Sequence, residues 1–265
     1  MTDDGGDPAG GPDLDPDPGP SEGDPLRRLA DALRSLIDLT VAAVLEEDEI
    51  EWAADAVEAV VARLERNAGP GKRVRPQPDI SRPPQEFFPN SPVMGIVNPI
   101  APPVRLSVVD GVDGGYREIR AEANFGYPYE GPPTCVHGGV IAEVFDEVLG
   151  AANMVAGNPA MTGTLTVRYR KPTPLRTDLR IEARCLGRDG RKIRTWAAMY
   201  HEDLMTAEAE GIFIEVGPER FVAIAEGNVD SADPVMLEAM RAEAARPGAA
   251  SDVPGWPTPP GTYPT

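Results

Sequence analysis

Apolar residues recur at spacings of three and four in three separate stretches of this chain, and that spacing predicts a helix in each. In the first, Leu26, Leu29, Ala30, Leu33, Leu36, Ile37, Val41 and Val44 follow Pro25, whose fixed φ suits a first helical turn. In the second, Ile50, Ala53, Ala54, Val57, Val60, Val61 and Leu64 follow an acidic break at 46–49 and run toward Gly69, read as a C-cap. These two make a helical hairpin over 26–69. Its stripes must be buried against each other, the rest of the chain or another subunit, and it is assigned no chemistry. In the third stretch, Val140, Ile141, Val144, Phe145, Val148, Leu149, Ala152 and Val155 follow two glycines and predict a buried helix.

Alternation with a period of two marks the strands. Patterns at 104–110 and 116–124, joined by a turn through 111–115, read as a β-hairpin. A long strand is expected at 162–171, where Leu165, Val167 and Tyr169 alternate with Thr164, Thr166, Arg168 and Arg170, and Pro172 stops it. Leu179, Ile181, Ala183 and Cys185 mark the next strand, Asp189-Gly190 predicts a two-residue hairpin turn, and the chain returns over 192–200. A last strand is expected over 204–216. The order β-β-α-β-β-β-β predicts an α+β fold, an antiparallel sheet wrapped around one central helix, in a main domain at 104–216.

Composition divides the rest. Net charge is −18 and the pI is near 4.5, which argues against nonspecific binding to nucleic acid or an anionic membrane surface. Asp3, Asp4, Asp7, Asp13, Asp15, Asp17, Glu22 and Asp24 occur with no Lys or Arg among them, so 1–25 reads as a disordered acidic tail. Residues 70–103 form a proline-rich connector. Within it Phe87-Phe88-Pro89-Asn90-Ser91-Pro92 is too apolar for a free linker and is expected to lie extended along a surface. After 217 the pattern weakens to a tail with a short helix expected at 236–244. No apolar run approaches the roughly 18 residues of a spanning helix. No leader pattern opens the chain, and Cys135 and Cys185 alone build no disulfide framework, so a soluble cytoplasmic protein with reduced thiols is expected.

Candidate chemistry converges on 135–150. Gly138 and Gly139 expose backbone N–H groups where the third helix begins, and the helix dipole adds partial positive charge there, a ready oxyanion or phosphate site. Asp146 falls mid-helix, two turns further on. Glu143, Asp146, Gly150 and Asn153 share one side, and periodicity alone leaves open a solvated polar stripe. Cys135, His137, Cys185 and His201 are four possible metal ligands, but only Cys135 and His137 are close in sequence, unlike the paired spacing of structural zinc sites, so no metal is expected. Cys135 and His137 are also poorly spaced as nucleophile and base, with no third residue to orient the imidazole.

Four features occur together: His137-Gly138-Gly139 opening the helix, Asp146 nine residues after His137, Met161-Thr162 opening the next strand, and Tyr169-Arg170-Lys171-Pro172-Thr173-Pro174-Leu175 closing it. In these the chain resembles the hotdog-fold acyl-CoA thioesterases, especially the PaaI-type enzymes and the animal thioesterase-superfamily proteins acting on fatty acyl-CoA, over roughly 93–216. The resemblance implies hydrolysis of acyl-CoA, fatty or aromatic, to free acid and coenzyme A. It implies that the Gly138 N–H polarises the thioester carbonyl and that Asp146 serves as general base or nucleophile. Thr162 would orient the water or carboxylate, His137 would flank the oxyanion donor, and Gly139 and Tyr169 would line the substrate.

By strict alternation, however, Thr162 reaches the helix side only if Gly163 marks a bulge. Cations are wanted for the coenzyme phosphates, and Arg170 and Lys171 at a strand end, with Arg191 and Lys192 past a tight turn, are the candidates. The resemblance further implies a homodimer or dimer of dimers with the site between subunits, and no cofactor, since coenzyme A belongs to the substrate. The alternatives are a hotdog module that binds acyl-CoA without turnover and a hotdog enoyl-CoA hydratase.

Overall fold

The computed structural model describes residues 23–68, 88–102, 104–111, 115–158 and 160–217. Nearly all of the acidic opening segment, the connector up to residue 87 and the expected helix at 236–244 lie outside the described residues.

Helix α1 (Pro25–Ala42) starts where the sequence suggested, with the Asp24 carboxylate accepting from the Leu26 N–H at 2.6 Å and Pro25 in the first turn. Helix α2 (Glu47–Asn67) begins earlier than expected. The acidic run is its first turn rather than a break, placing Glu47, Asp48 and Glu49 at the positive end of the dipole. The two helices do not close as a mutually buried hairpin: α1 buries only Ala30, and α2 buries no residue, leaving Trp52 69% exposed.

Instead α1 packs on the main domain beside Tyr127–Tyr129, and among the described residues the side-chain hydrogen bonds that tie it there come from Arg34. The Arg34 guanidinium donates to the carbonyls of Gly95, Ile96, Asn98 and Ala101 at 2.8 to 3.2 Å. Those carbonyls belong to a run of successive turns closed by Ser91 N–H to Phe88 O, Gly95 N–H to Ser91 O, Asn98 N–H to Gly95 O and Ala101 N–H to Asn98 O, so the described part of 87–92 is turned rather than extended as expected. The turns are needed because Val93 and Met94 enter the core, which therefore begins upstream of residue 104.

The sheet has six antiparallel strands: β1 (Arg105–Val109), β2 (Glu118–Ala123), β3 (Ala160–Tyr169), β4 (Leu179–Asp189), β5 (Lys192–His201) and β6 (Leu204–Glu215), in the order β1-β2-β4-β5-β6-β3. Between β2 and β3 the chain forms helix α3 (Gly138–Val155), which crosses one face of the sheet. Alternation along the strands turns Ile119, Leu179, Ile181, Ile193, Met199, Ala209 and Phe213 inward onto Ile141, Val144, Phe145, Val148 and Leu149 of α3, making one continuous core. The outer face carries charged and aromatic side chains instead, with Arg168 on Glu210, Arg180 over Tyr200 and Arg184 over Trp196. Strand β3 follows the helix directly and takes the sheet edge beside β6.

The β4–β5 turn is shifted one residue from the expected Asp189-Gly190. Asp189 pairs with Lys192, so Gly190 and Arg191 are the loop. Gly190 has φ +56°, and a turn of this kind needs the left-handed region at its first central position. Among the described residues no helix is long and apolar enough to cross a membrane.

Candidate active site

The start of α3 is built around the space two glycines leave. His137 is the N-cap, with extended backbone, and its carbonyl accepts from the Val140 and Ile141 N–H groups. Its imidazole folds back so that Nδ1 accepts from the Gly139 N–H at 3.0 Å. A Cβ at residue 139 would lie 3.0 Å from that nitrogen, and one at residue 138 would lie 3.3 Å from the ring and hydroxyl of Tyr169. One at residue 131 would lie 2.7 Å from the His137 Cα. The three glycines thus clear room for two rings. Tyr169, from the end of β3, donates its hydroxyl to the Gly138 carbonyl at 2.7 Å. The His137 backbone N–H donates to Tyr129 O at 2.8 Å, which fixes the approach of the loop. The Gly138 N–H, first in the helix, has no acceptor within the helix and none elsewhere among the described residues, so it opens outward as a donor at the positive dipole end.

Two turns along, Asp146 is half-buried and its Oδ1 accepts from the Thr162 hydroxyl at 2.7 Å. The strand reaches it by a register shift between Thr162 and Thr164, the bulge at Gly163 on which that contact depended. A side chain at Gly163 would meet Ile214 Cγ1 at 3.0 Å and the Ile212 carbonyl at 3.2 Å, so the bulge leaves little room for one there. Asp146 does not belong to one solvated stripe. Glu143 is exposed, but Asn153 is 1% exposed, and neither its Nδ2 nor its Oδ1 has a protein partner. Thr162 and Asp146 are brought together, as are Tyr169, Gly138, Gly139 and His137. Gly138 and Asp146 are eight positions apart on the helix, about 12 Å along the axis.

The four expected cations are not brought together. Arg170 pairs with Glu208, and Arg191 donates to the Glu215 carbonyl at 3.0 Å, so both arginines expected to hold phosphates are engaged within the sheet. Glu215 pairs with Ala160, the first residue of β3, whereas Arg170 follows its last, so the two cationic pairs occupy opposite ends of that strand. Lys171 and Lys192 have no ion-pair partner among the described residues.

Glu147 was missed by the sequence reading. Its carboxylate accepts from the Ser91 hydroxyl at 2.8 Å, and that hydroxyl in turn accepts from the Val93 and Met94 N–H groups. Burial pushes the Glu147 carboxyl above the usual carboxylate range. The Ser91 bond opposes that shift, and the neighbouring Asp146 and Glu143 charges reinforce it. Nothing local in the sequence marks it, because its partner lies far upstream. Both cysteines are free thiols, and burial pushes the pKa of Cys185 up to about 11. Among the described residues no three His, Cys, Asp or Glu side chains are grouped so as to hold a metal.

The comparisons with known proteins bear on the same segment. Residues 134–208 match the thioesterase superfamily family model. The acyl-coenzyme A thioesterase THEM4 of Xenopus laevis is 38% identical over 94 residues, 34% of this chain and 42% of that protein. Its mouse counterpart is 33% identical over 97 residues, 36% of this chain and 42% of that protein. The chain thus spans about two-fifths of the length of these relatives. A thioesterase superfamily protein of known crystal structure is 32% identical, with 74% of this chain and 93% of that one covered and a TM-score of 0.64. That likeness runs well beyond the motif segment and takes in most of a folded relative. With its sheet wrapped around a helix that opens on His137-Gly138-Gly139, the chain belongs to the thioesterase superfamily and has the hotdog fold.

Proposed function

We propose that this protein is an acyl-CoA thioesterase, hydrolysing acyl-CoA to the free acid and coenzyme A, and that it works as a homodimer. The observation that carries the reading is the presence on one helix of an open N–H at Gly138 and a hydroxyl-held carboxylate at Asp146. A thioester loses its thiolate readily, so the protein need only supply an oxyanion donor and a positioned carboxylate. With Thr162 on Oδ1, the Oδ2 of Asp146 is left to take a proton from water as it attacks the carbonyl carbon. The oxyanion forms against the Gly138 N–H, and its collapse breaks the C–S bond and expels the coenzyme A thiolate, which takes up a proton. No metal is called for. The acyl-CoA thioesterases of frog and mouse that share this segment support the choice of substrate class.

The dimer follows from reach. A donor and a carboxylate about 12 Å apart cannot both touch one thioester, so each Gly138 needs the Asp146 of a second copy. Strand β3 lies at the sheet edge with Met161 45% and Tyr169 55% exposed, a surface suited to pairing with a second β3. Antiparallel pairing there brings the Arg191–Lys192 end of one strand beside the Arg170–Lys171 end of the other, where Lys171 and Lys192, without ion-pair partners among the described residues, can meet coenzyme phosphates. The two free thiols suit the cytoplasm.

A panel of fatty and aromatic acyl-CoA substrates, with release of free thiol as the readout and Asp146→Asn as the variant, tests the reading. Turnover should be measurable in the wild type, at a sedimentation coefficient for two chains or more, and should fall by about 10²–10⁴-fold in the variant. Protection of the thioester in a single-turnover experiment would instead identify a binding module. Hydration of enoyl-CoA without thioesterase activity would identify a hydratase.

A further inference from the structure

The hydrogen bonds around the Gly138–Gly139 peptide form a line. The Tyr169 hydroxyl donates to its carbonyl at 2.7 Å, and its N–H donates to His137 Nδ1 at 3.0 Å. Both ends of one amide are therefore engaged by side chains. An amide whose carbonyl is already hydrogen-bonded has a more polarised N–H, and such bonds strengthen one another in series by about 10–30% each. The consequence falls on the imidazole. A ring whose Nδ1 accepts a hydrogen bond must, when neutral, carry its proton on Nε2.

We propose that Tyr169 is a positioning residue that acts through this one peptide, holding His137 in the Nε2–H form so that the ring meets the substrate as a hydrogen-bond donor beside the Gly138 N–H rather than as a base. The inference rests on the thioesterase reading for its kinetic consequence, but not for the tautomer itself. It also reassigns Tyr169, which the sequence placed among the substrate-lining residues. The hydroxyl is spent on the protein. The ring stands where a Cβ at residue 138 would come within 3.3 Å of it, so a side chain at 138 would crowd Tyr169 as well as any substrate. His137 is exposed at the open side of the helix start, free to present Nε2 outward. No other residue is needed to orient the ring. The backbone itself is the orienting group, which answers why no third residue was evident beside Cys135 and His137.

Nitrogen NMR of protein labelled at histidine tests this directly, since the chain has only His137 and His201 and a His201→Gln variant assigns the signals. The wild type at neutral pH should show His137 with an unprotonated, hydrogen-bonded Nδ1 and a protonated Nε2. Tyr169→Phe, which keeps the ring and removes one oxygen, should admit the Nδ1–H tautomer. It should also lower kcat for acyl-CoA by roughly tenfold, a fraction of the 10²–10³ lost when an oxyanion donor is deleted outright. KM should stay within about twofold, because ground-state binding is untouched.

A wild-type His137 protonated on Nδ1, or a tautomer balance unmoved by Tyr169→Phe, would overturn the proposal. A raised KM at constant kcat would overturn it too, returning Tyr169 to substrate contact. Were the wild type to show no thioesterase activity, the functional reading would fall while the tautomer measurement still decided the role of Tyr169.

Discussion

Thr162 donates its hydroxyl to the Oδ1 of Asp146 at 2.7 Å, across the gap between the edge strand and the central helix. That bond turns a half-buried helical carboxylate into one with a defined orientation, and it depends on the extra residue at Gly163. Hydrogen bonds to charged groups are worth about 1.5–3 kcal/mol. If Asp146 is the base, losing this one should misdirect its free oxygen. Thr162→Val, nearly the same shape, is expected to lower kcat by at least about tenfold, since ~1.4 kcal/mol corresponds to that factor. Thr162→Ser should recover most of the rate. Steady-state kinetics of the pair decide it. Equal activity in all three proteins would reduce Thr162 to a strand residue.

How far the site was legible depends on whether its partners are local. The start of α3, the inward set from Ile141 to Val155 and the place of Asp146 follow from spacing within one helix, because periodicity reports directly which side of an element is apolar. Thr162 was legible only conditionally. Alternation placed it on the wrong face, and the sequence shows that Gly163 permits a bulge but not that one forms. The pairing of Arg170 with Glu208 was not legible, because Glu208 comes from a strand whose register against β3 is set by the whole sheet. What covers the stripes of the helical hairpin stays open in the sequence for a related reason. A stripe such as Ile50, Val57 and Leu64 says that a face is apolar, not that the neighbouring helix will cover it. Glu147 and Arg34 bind groups more than fifty residues away through turns that no local pattern announces.

Arg34 offers a second test, because it supplies the hydrogen bonds that join α1 to the turns entering the core. Its guanidinium serves four carbonyls in the 95–101 turns, and its side chain is only 14% exposed. Those turns hold Val93 and Met94 in the core, so α1 is expected to stabilise the main domain even though it contributes no catalytic group. Arg34→Met keeps the apolar stem and removes the donors. It should cost roughly 2–3 kcal/mol, the worth of a charged hydrogen bond with part-buried acceptors left behind. Asp31→Ala removes only the exposed ion-pair partner of the same arginine and should cost less than about 1 kcal/mol. Denaturant titration of the three proteins checks both figures. Equal stabilities would show that α1 rests on the domain without supporting it.

Glu147 stands next to the proposed base on the helix yet faces a different partner, which makes its ionisation separable from catalysis. Its pKa is raised in the folded protein, mainly by burial, so the folded state holds the proton to higher pH than the unfolded chain does. Between the ordinary glutamate value and the raised one, the native state binds more protons. Stability therefore falls as pH rises through that window and stays lowered above it. One such group changes stability by at most about 1.4 kcal/mol per pH unit. Glu147→Gln keeps an oxygen to accept from the Ser91 hydroxyl and removes the charge, so the variant should gain on the wild type as pH rises from about 4 and hold a constant lead once the wild-type carboxylate is ionised. Denaturant unfolding of both proteins at a series of pH values reads this difference directly, with all other carboxylates cancelling. Turnover of Glu147→Gln should remain within about threefold of the wild type, because the carboxylate is engaged by Ser91 rather than by Thr162. A stability gap independent of pH would show that Glu147 is not held in an environment that disfavours its charge. Loss of turnover comparable to that of Asp146→Asn would move the catalytic carboxylate one residue along the helix.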